Sequence, residues 1–346
     1  MARRFLWGSL ALAPLTIFLH FAFHLGETAD FVLASAALVP LAWLIGEATE
    51  HAAHHTGHGV GGFLNATFGN APELIIALFA ISNGLEEVVR GSLTGSVIGN
   101  LLLVFGFSLL FGGDGEIDRP SSLLSVGQVA VAATLFLIVA VPSWHGDPDR
   151  DSLAKLSIVP SVILLVLYVA ATWYSLRRHR LQRVTGEAST TDAWSLWAAL
   201  AVLGIATVVT AVVAEILVGA LDEFAHSVGL SDFFVAAVIV AIVGNAAEHG
   251  GAVVVAARGK VKLATEIALA SSAQVAVFLI PAVALLSWLI DPLALSFRQV
   301  ELLVLGFAVV VAGFSVADGK SSRGNGVLLI GAYAVAATAF FLAGDR

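Results

Sequence analysis

The chain alternates between long apolar runs and short polar connections along its whole length. A helix of about 20 apolar residues crosses the hydrocarbon core of a bilayer. The runs are too long to be the roughly ten-residue alternating strands of a membrane β-barrel. The pattern therefore predicts an all-α polytopic membrane protein with eleven transmembrane helices. They are expected at residues 5–25, 30–50, 62–83, 89–111, 122–142, 152–176, 193–220, 231–257, 263–290, 298–317 and 325–343.

Composition narrows the class further. Of the 346 residues, 58% are hydrophobic and only 12% are charged, whereas about a quarter of the residues in soluble domains are charged. The net charge of −8 and the scattered basic residues exclude a nucleic-acid-binding protein. Because the chain has no cysteine, disulfides and thiolate metal sites are excluded as well.

The basic residues of the connections predict the orientation in the membrane, since cytoplasmic loops are enriched in Lys and Arg. With a cytoplasmic N-terminus, twelve basic residues lie inside and five outside. The twelve are Arg3, Arg4, Arg119, Arg177, Arg178, Arg180, Arg183, Arg258, Lys260, Lys262, Lys320 and Arg323. The five are Arg90, Arg150, Lys155, Arg298 and Arg346. Eleven spans then place the C-terminus outside. The first run lacks a small-residue cleavage pattern, so we expect a retained helix rather than a signal peptide.

An internal repeat appears when the chain is shifted by 175 residues. Gly69-Asn70-Ala71-Pro72-Glu73 then falls on Gly244-Asn245-Ala246-Ala247-Glu248. The match continues without a gap, and it pairs Ala77 with Ala252, Gly84 with Gly259 and Ser96 with Ser271. An offset of about half the chain is expected of an internal duplication.

The repeat predicts the domain organisation. We expect an N-terminal transmembrane helix at 1–28, a first five-helix repeat at 29–178, a basic cytoplasmic linker at 179–192 and a second five-helix repeat at 193–346. An odd number of spans inverts the second copy relative to the first. Inverted repeats with a site near the midplane are typical of secondary transporters. For the basic linker, a positive-inside anchor is the simpler interpretation, and contact with lipid headgroups or a regulatory role is the alternative.

Glu73 and Glu248 are the central candidate site residues, because each lies within an apolar run. A charged residue at a helix centre costs about 2.5–3.5 kcal/mol, so such residues usually face a cavity and serve a function. Asn70 and Asn245 precede them by three residues and share their helix faces. Carboxylate, amide and freed backbone oxygens suit Ca²⁺, which takes six to eight oxygen ligands. The alternative is a structural pair of glutamates that hydrogen-bond across packed helices.

Further polar residues follow each signature in the next span. Ser96 and Asn100 lie in the first repeat, and Ser271, Ser272 and Gln274 lie in the second. Ser96 and Ser271 occupy matching positions and are therefore site candidates, although hydroxyls and amides also hold membrane helices together. Glu50 and Glu215 lie near predicted span ends. They are either solvated rim residues or carboxylates that pass ions or protons to the central pair.

A histidine cluster is predicted in the cytoplasmic connection between spans 2 and 3. It consists of His51, His54, His55 and His58. The i,i+4 pairs can bind Zn²⁺ on a helix, and imidazole titrates near neutral pH. A polar loop that is merely rich in histidine is the simpler interpretation. The chain contains no HExxH motif, which disfavours a membrane zinc protease.

The segments LNATFGNAPELI (64–75) and VGNAAEHG (243–250) resemble the two signatures of the calcium/proton exchanger family, within the calcium/cation antiporter superfamily. GSVIGNLLLVFGFSLLFGG (95–113) and SSAQVAVFLIP (271–281) are similar to the segments that follow them. The resemblance implies one helix plus two inverted five-helix halves. Pro72, His51 and Gly99 depart from the family pattern. The basic linker, where eukaryotic members have an acidic segment, points to a prokaryotic form in the inner membrane.

The resemblance also implies roles. Glu73 and Glu248 would alternately bind Ca²⁺ and protons, and the cation site would be completed by Asn70, Asn245, Ser96, Ser271 and Gln274. Glu50 and Glu215 match family glutamates implicated in passing ions toward the centre.

The resulting hypothesis is a Ca²⁺/H⁺ antiporter that works by alternating access. It is not an enzyme and needs no cofactor, and its partners are Ca²⁺ and H⁺ as substrates and the lipid bilayer. The alternatives are a sodium/calcium exchanger of the same superfamily and, more remotely, a metalloenzyme built on the histidine cluster. The oligomeric state and the selectivity among divalent cations are not predicted.

Overall fold

The structure is a computed structural model that describes residues 2–23, 25–145, 149–182 and 194–344. Side chains at 2–4, 57–63, 65, 66, 175–182 and 247 are outside the described part. The side chain of His58 and most of the basic linker therefore fall outside what the structure describes.

Helices account for nearly all of the described chain. Those before the linker are α1 (Ala2–Ser9), α2 (Leu12–Phe23), α3 (Glu27–Gly69), α4 (Ala71–Ser82), α5 (Glu86–Ile98), α6 (Phe105–Gly112), α7 (Arg119–Ser143) and α8 (Arg150–Gln182). Those after it are α9 (Leu196–Gly219), α10 (Leu221–Val228), α11 (Asp232–Phe234), α12 (Ala241–Gly244), α13 (Ala246–Ala257), α14 (Val261–Gln274), α15 (Ile280–Leu286), α16 (Gln299–Val316) and α17 (Arg323–Ala343). π-Helical segments lie at Gly99–Val104, Val235–Val240 and Val275–Leu279, and a 3₁₀ turn at Ser287–Leu289. The strands β1 (Gly115–Glu116) and β2 (Lys320–Ser321) pair antiparallel.

The all-α polytopic fold is confirmed, whereas the count of eleven spans is not. Among the described residues, nine helices are long and apolar enough to cross a membrane, or ten if Leu221–Val228 and Asp232–Gly244 form one bent span. The difference has a physical cause. Two of the predicted spans, 62–83 and 231–257, are each interrupted at the signature asparagine, so that neither is a single long helix.

The predicted connection between spans 2 and 3 is wrong. α3 stays helical from Glu27 to Gly69 and includes the histidine cluster. Ala48, Ala52 and Ala53 favour helix in this stretch, since alanine has the highest helix propensity. His51, His54 and His55 therefore occupy a helix rather than a loop.

Contacts between connections define the two ends of the helix bundle. At one end, Arg150 at the start of α8 pairs with Glu86 at the start of α5 and, at 2.8 Å, with Asp291. Arg298 before α16 donates to the carbonyl of Gly344 at 2.7 Å, so α17 finishes there too. We call this the Glu86 end. At the other end, the strands join the connections after α6 and before α17, and a Cβ at Gly115 would contact Val261 at the start of α14. We call this the Val261 end.

The two halves are inverted copies. α4 and α13 have twelve residues each, and both α4 to α13 and α5 to α14 are offset by 175 residues. The turn from α4 to α5 contains Gly84, and the turn from α13 to α14 contains Gly259. Their φ angles of 73° and 76° favour glycine. Nevertheless, α5 begins at the Glu86 end and α14 at the Val261 end. Corresponding helices therefore run in opposite directions.

The halves pack closely through small residues. A Cβ at Gly95 in α5 would overlap the backbone of Ala237 in the π-helical segment of the other half. Gly91, one turn earlier, faces the ring of Phe233, where a Cβ would lie 3.1 Å from Cδ2. Small residues at helix interfaces let backbones approach each other in membrane proteins. This crossing fixes α5, whose C-terminal end leads into the candidate site.

Candidate cation site

The site is built on two helix breaks. α3 ends at Gly69 and α12 at Gly244, and the following residues, Asn70 and Asn245, have φ angles of −101° and −91° with ψ near zero. A new helix begins directly after each asparagine. Glu73 and Glu248 then occupy the third position of α4 and of α13, in the first turn. A negative charge is favourable there because unpaired backbone N–H groups make a helix N-terminus electropositive.

Pro72, the departure in the first signature, fits this arrangement. It lies in the first turn of α4, where the backbone N–H has no partner within the helix. It therefore starts a helix and does not bend one. Gly250 and Gly251, by contrast, lie inside α13 and interrupt nothing.

Each signature contacts the carboxylate of the other. A Cβ at Gly244 would lie 3.3 Å from Cγ of Glu73, and a Cβ at Gly69 would lie 3.8 Å from Oε1 of Glu248. Each carboxylate therefore lies beside the helix break that carries the other. Glu73 is buried, and Glu248 is half-buried. The repeats thus bring two acidic side chains from distant parts of the sequence into one place.

Hydroxyls and amides join the halves around these carboxylates. Asn245 Nδ2 donates to Ser96 Oγ at 2.8 Å and to the carbonyl oxygen of Ala241 at 2.9 Å. Asn100 Nδ2 lies 3.1 Å from Ser271 Oγ and 3.4 Å from Asn245 Oδ1. The Ser271 hydroxyl in turn donates to Oε2 of Glu248. Amide donors thus orient the serine oxygens beside the second carboxylate.

Some buried oxygens at the site accept no hydrogen bond from any described residue. They include Oε2 of Glu73 and Oδ1 of Asn100. Buried acceptors of this kind are costly unless a donor or a cation satisfies them. Asn70 is also buried here. The donor set is all oxygen, which suits a hard divalent cation or protons.

Three other predicted residues take no part in these hydrogen bonds. Gln274 is half-buried at the end of α14, and its side chain makes no hydrogen bond with the described part of the chain. Glu50 and Glu215 are both exposed. Glu50 precedes His51, which stacks on Trp194 just before α9, whereas Glu215 lies one turn before α9 ends. The two glutamates are therefore near opposite ends of the packed α3–α9 pair.

The histidine cluster contacts the chain that follows the linker. The ring of His51 stacks on Trp194 at 4.5 Å, and His55 Nε2 lies 2.7 Å from the Trp194 carbonyl oxygen. No group of three or more histidine and acidic side chains that could hold a metal occurs among the described residues. The side chain of His58 is not among them.

Sequence reasoning named Asn100 only as a polar residue after the first signature, and it missed Glu301. Asn100 links Ser271 to Asn245, and its signal was its position four residues after Ser96. Glu301 is fully buried and accepts from the Thr94 hydroxyl at 2.9 Å and from the Arg298 N–H at 2.6 Å. Its signal was a carboxylate inside the apolar run 298–317. Its place three residues after Arg298 makes it look like a rim residue.

Two inverted halves that meet at broken helices, each with a glutamate at the break, define the architecture of a secondary transporter. The chain belongs to the sodium/calcium exchanger protein family, whose model matches residues 28–177 and 198–342.

Individual relatives align over nearly the whole chain. It is 34% identical to a Ca²⁺/H⁺ antiporter of Aphanothece halophytica, over 97% of this chain and 95% of that protein. It is 36% identical to a Ca²⁺/H⁺ antiporter of Synechocystis, over 96% and 95%. A solved structure of native YfkE, a Ca²⁺/H⁺ antiporter, is 35% identical, covers 96% of this chain and 98% of its own, and superposes with a TM-score of 0.83.

Proposed function

We propose that the protein exchanges Ca²⁺ for H⁺ across the membrane by alternating access. The observation that carries the proposal is the meeting of Glu73 and Glu248 at one all-oxygen site, each against the glycine of the opposite signature. The near full-length similarity to Ca²⁺/H⁺ antiporters supports the choice of substrates. The activity is transport, and Ca²⁺ and H⁺ are its substrates.

Charge balance provides the coupling. Two ionised carboxylates in a low-dielectric site repel each other and are costly to bury. One Ca²⁺ or two protons neutralise the pair, so only the loaded protein changes its accessible side readily. This exclusion predicts about two protons for each Ca²⁺ when no other group takes part.

The remaining site residues have supporting roles in this proposal. Asn70, Asn245, Ser96 and Ser271 supply or orient oxygens for the cation, and Gln274 lies at the margin of the site. Glu50 and Glu215, near opposite ends of the α3–α9 pair, pass ions between water and the centre. The protein would act in a prokaryotic inner membrane, with its N-terminus in the cytoplasm.

The test uses purified protein in proteoliposomes with an imposed pH gradient and no Na⁺. We expect ⁴⁵Ca²⁺ uptake coupled to proton exit. Glu73→Gln and Glu248→Gln should each abolish it, because one remaining carboxylate cannot balance Ca²⁺. Glu223→Gln, a change of an exposed glutamate in α10, is the matched control and should transport normally.

The outcomes separate the alternatives. Normal coupled flux in both site variants would reject the proposed role of the glutamates. Flux that appears only when Na⁺ is added would favour a sodium/calcium exchanger. Tight Zn²⁺ binding, with an activity that is lost in His54→Ala and His58→Ala but unaffected in Glu248→Gln, would favour the metalloenzyme built on the histidine cluster.

A further inference from the structure

A charged network crosses the bundle at the Glu86 end. Arg90 in α5 donates to Glu86 Oε2 at 3.2 Å and to the Ala294 carbonyl at 3.3 Å. Arg150, at the start of α8, pairs with Glu86 and reaches Asp291 at 2.8 Å. The network therefore ties α5 and α8 of the first half to the segment before α16 in the second.

The network continues toward the centre along α5. Thr94 lies one turn after Arg90, and its hydroxyl contacts Glu301 of α16 at 2.9 Å. Arg90, Thr94 and Glu301 are all buried. Ser96 and Asn100, which contact the second signature, follow within two turns. The helix that carries site residues is thus fastened to the opposite half at this end.

The two signature helices differ in exposure. α4 extends from the site toward the Glu86 end, and seven of its residues are buried: Ala71, Pro72, Glu73, Ile76, Ala77, Ala80 and Ile81. α13 extends toward the Val261 end, and of its described residues only Ala252 and Ala256 are buried. Its stretch Gly250-Gly251, directly after the half-buried Glu248 and His249, is exposed. This difference in burial indicates a site that is closed toward the Glu86 end and open toward the Val261 end.

The inverted repeat does not copy the network. The positions 175 residues after Glu86, Arg90 and Thr94 hold Val261, Thr265 and Leu269. An alternating-access cycle that closes the Val261 end must therefore close it with other interactions. The state closed at the Glu86 end and the state closed at the Val261 end are therefore stabilised by different side-chain interactions.

We propose that Glu86, Arg90, Arg150, Asp291, Thr94 and Glu301 form a one-sided lock that holds the Glu86 end closed and must open for the site to face that side. The inference rests on the alternating access of the proposed function. Breaking the lock shifts the population toward the state that is open at the Glu86 end. Because the ion pairs exist in only one of the two states, their loss changes the equilibrium between them.

Cysteine accessibility tests the lock, because the protein has no cysteine of its own. Ile75 and Gly250 occupy the same position in α4 and α13, and a Cβ at Gly250 meets nothing within 4 Å. Ile75→Cys and Gly250→Cys are made separately, each alone and with Glu86→Gln. The rate of reaction with a small water-soluble maleimide is measured in proteoliposomes without Ca²⁺.

We expect Glu86→Gln to raise the labelling rate of Ile75→Cys about fivefold and to lower that of Gly250→Cys, as a population shift requires. Asp222→Asn, which removes an exposed acid in α10 from a pair with His226, is the matched control and should change neither rate. Increased labelling at both positions would show loosening of the fold and overturn the lock. Unchanged labelling would overturn it too.

A second variant keeps the test decisive if Glu86→Gln folds poorly. Arg150→Gln removes the half-exposed bridge between Glu86 and Asp291 and leaves the buried Arg90 in place. The same opposite changes at Ile75→Cys and Gly250→Cys are expected, and parallel or absent changes reject the lock. Labelling needs no transport, so this result is independent of whether Ca²⁺/H⁺ exchange is observed.

Discussion

The two signature glycines differ in how closely they approach the opposite glutamate. At Gly244 a Cβ would lie 3.3 Å from Cγ of Glu73, which is tighter than ordinary contact, whereas at Gly69 the nearest atom is 3.8 Å away. Glu73 is also the more buried carboxylate and has less room to move. The observed position of Glu73 thus depends on glycine at position 244, because a Cβ there would press against the glutamate side chain.

We therefore predict that Gly244→Ala displaces Glu73 and lowers the initial rate of Ca²⁺/H⁺ exchange about tenfold, since small displacements of reacting groups are costly. Gly69→Ala should remain within about twofold of the unmodified protein, because its Cβ makes an ordinary contact. Initial rates in proteoliposomes provide the measurement. Equal effects of the two substitutions would contradict this account.

At the residue scale, the sequence predicts the members of the site better than their contacts. The repeated GNAxE motif identifies Glu73 and Glu248, because a carboxylate in an apolar run is costly wherever it occurs. The bond from Asn245 to Ser96 joins residues of different halves, and neither motif specifies which partner lies across the interface. The roles of Glu301 and Arg90 are harder still to predict from sequence. Glu301 accepts from Thr94 and Arg90 donates to the Ala294 carbonyl, and both contacts form only when the two halves pack together.

Helix α5 is tightly constrained where it crosses the second half. Its crossing with the π-helical segment Val235–Val240 depends on Gly95, where a Cβ would overlap the Ala237 backbone. One turn later, a Cβ at Gly99 would meet nothing within 4 Å. α5 and the π-helical segment that continues it therefore offer a sensitive position and a tolerant one.

Gly95→Ala should separate the two halves and destabilise the protein by about 3 kcal/mol, as overpacking of a tight contact does. Gly99→Ala should be nearly neutral. The melting temperature of the detergent-purified protein is the measurement. Similar melting temperatures for the two variants would show that the crossing can relax.

At the element scale, the sequence correctly predicts helices but not where they break or continue. Residues 62–83 form an apolar run, yet the run is divided at Asn70, because Gly69 and Asn70 end one helix and Pro72 suits the start of the next. Residues 51–58 look like a polar connection and are helical. Hydropathy indicates whether a segment can be buried in a membrane. It does not show where a helix is continuous, because continuity depends on backbone hydrogen bonds.

The whole molecule has one orientation in the proposed function, with the Glu86 end outside and the Val261 end in the cytoplasm. The bias of twelve basic residues against five supports it. Asp222 in α10 and Lys260 before α14 are exposed and lie near opposite ends. They are suitable positions to test the orientation.

We predict that Asp222→Cys reacts with a membrane-impermeant maleimide in intact cells, whereas Lys260→Cys reacts only after the membrane is permeabilised. The cysteine-free chain provides the background. The reverse pattern would invert the assignment of the two ends and, with it, the side to which the site is open in this structure.

The shared irregularities of the two halves say something about ancestry. The left-handed glycines at 84 and 259 and the π-helical segments Gly99–Val104 and Val275–Leu279 recur at almost the same spacing. Such shared details are expected of two halves that descend from one duplicated sequence. A half-length ancestor would have needed a second copy inserted upside down in the same membrane to complete its site. The fused chain makes that pairing permanent, and it frees each half to diverge, as the Glu86–Arg90 pair of α5 illustrates, since α14 has Val261 and Thr265 at those positions.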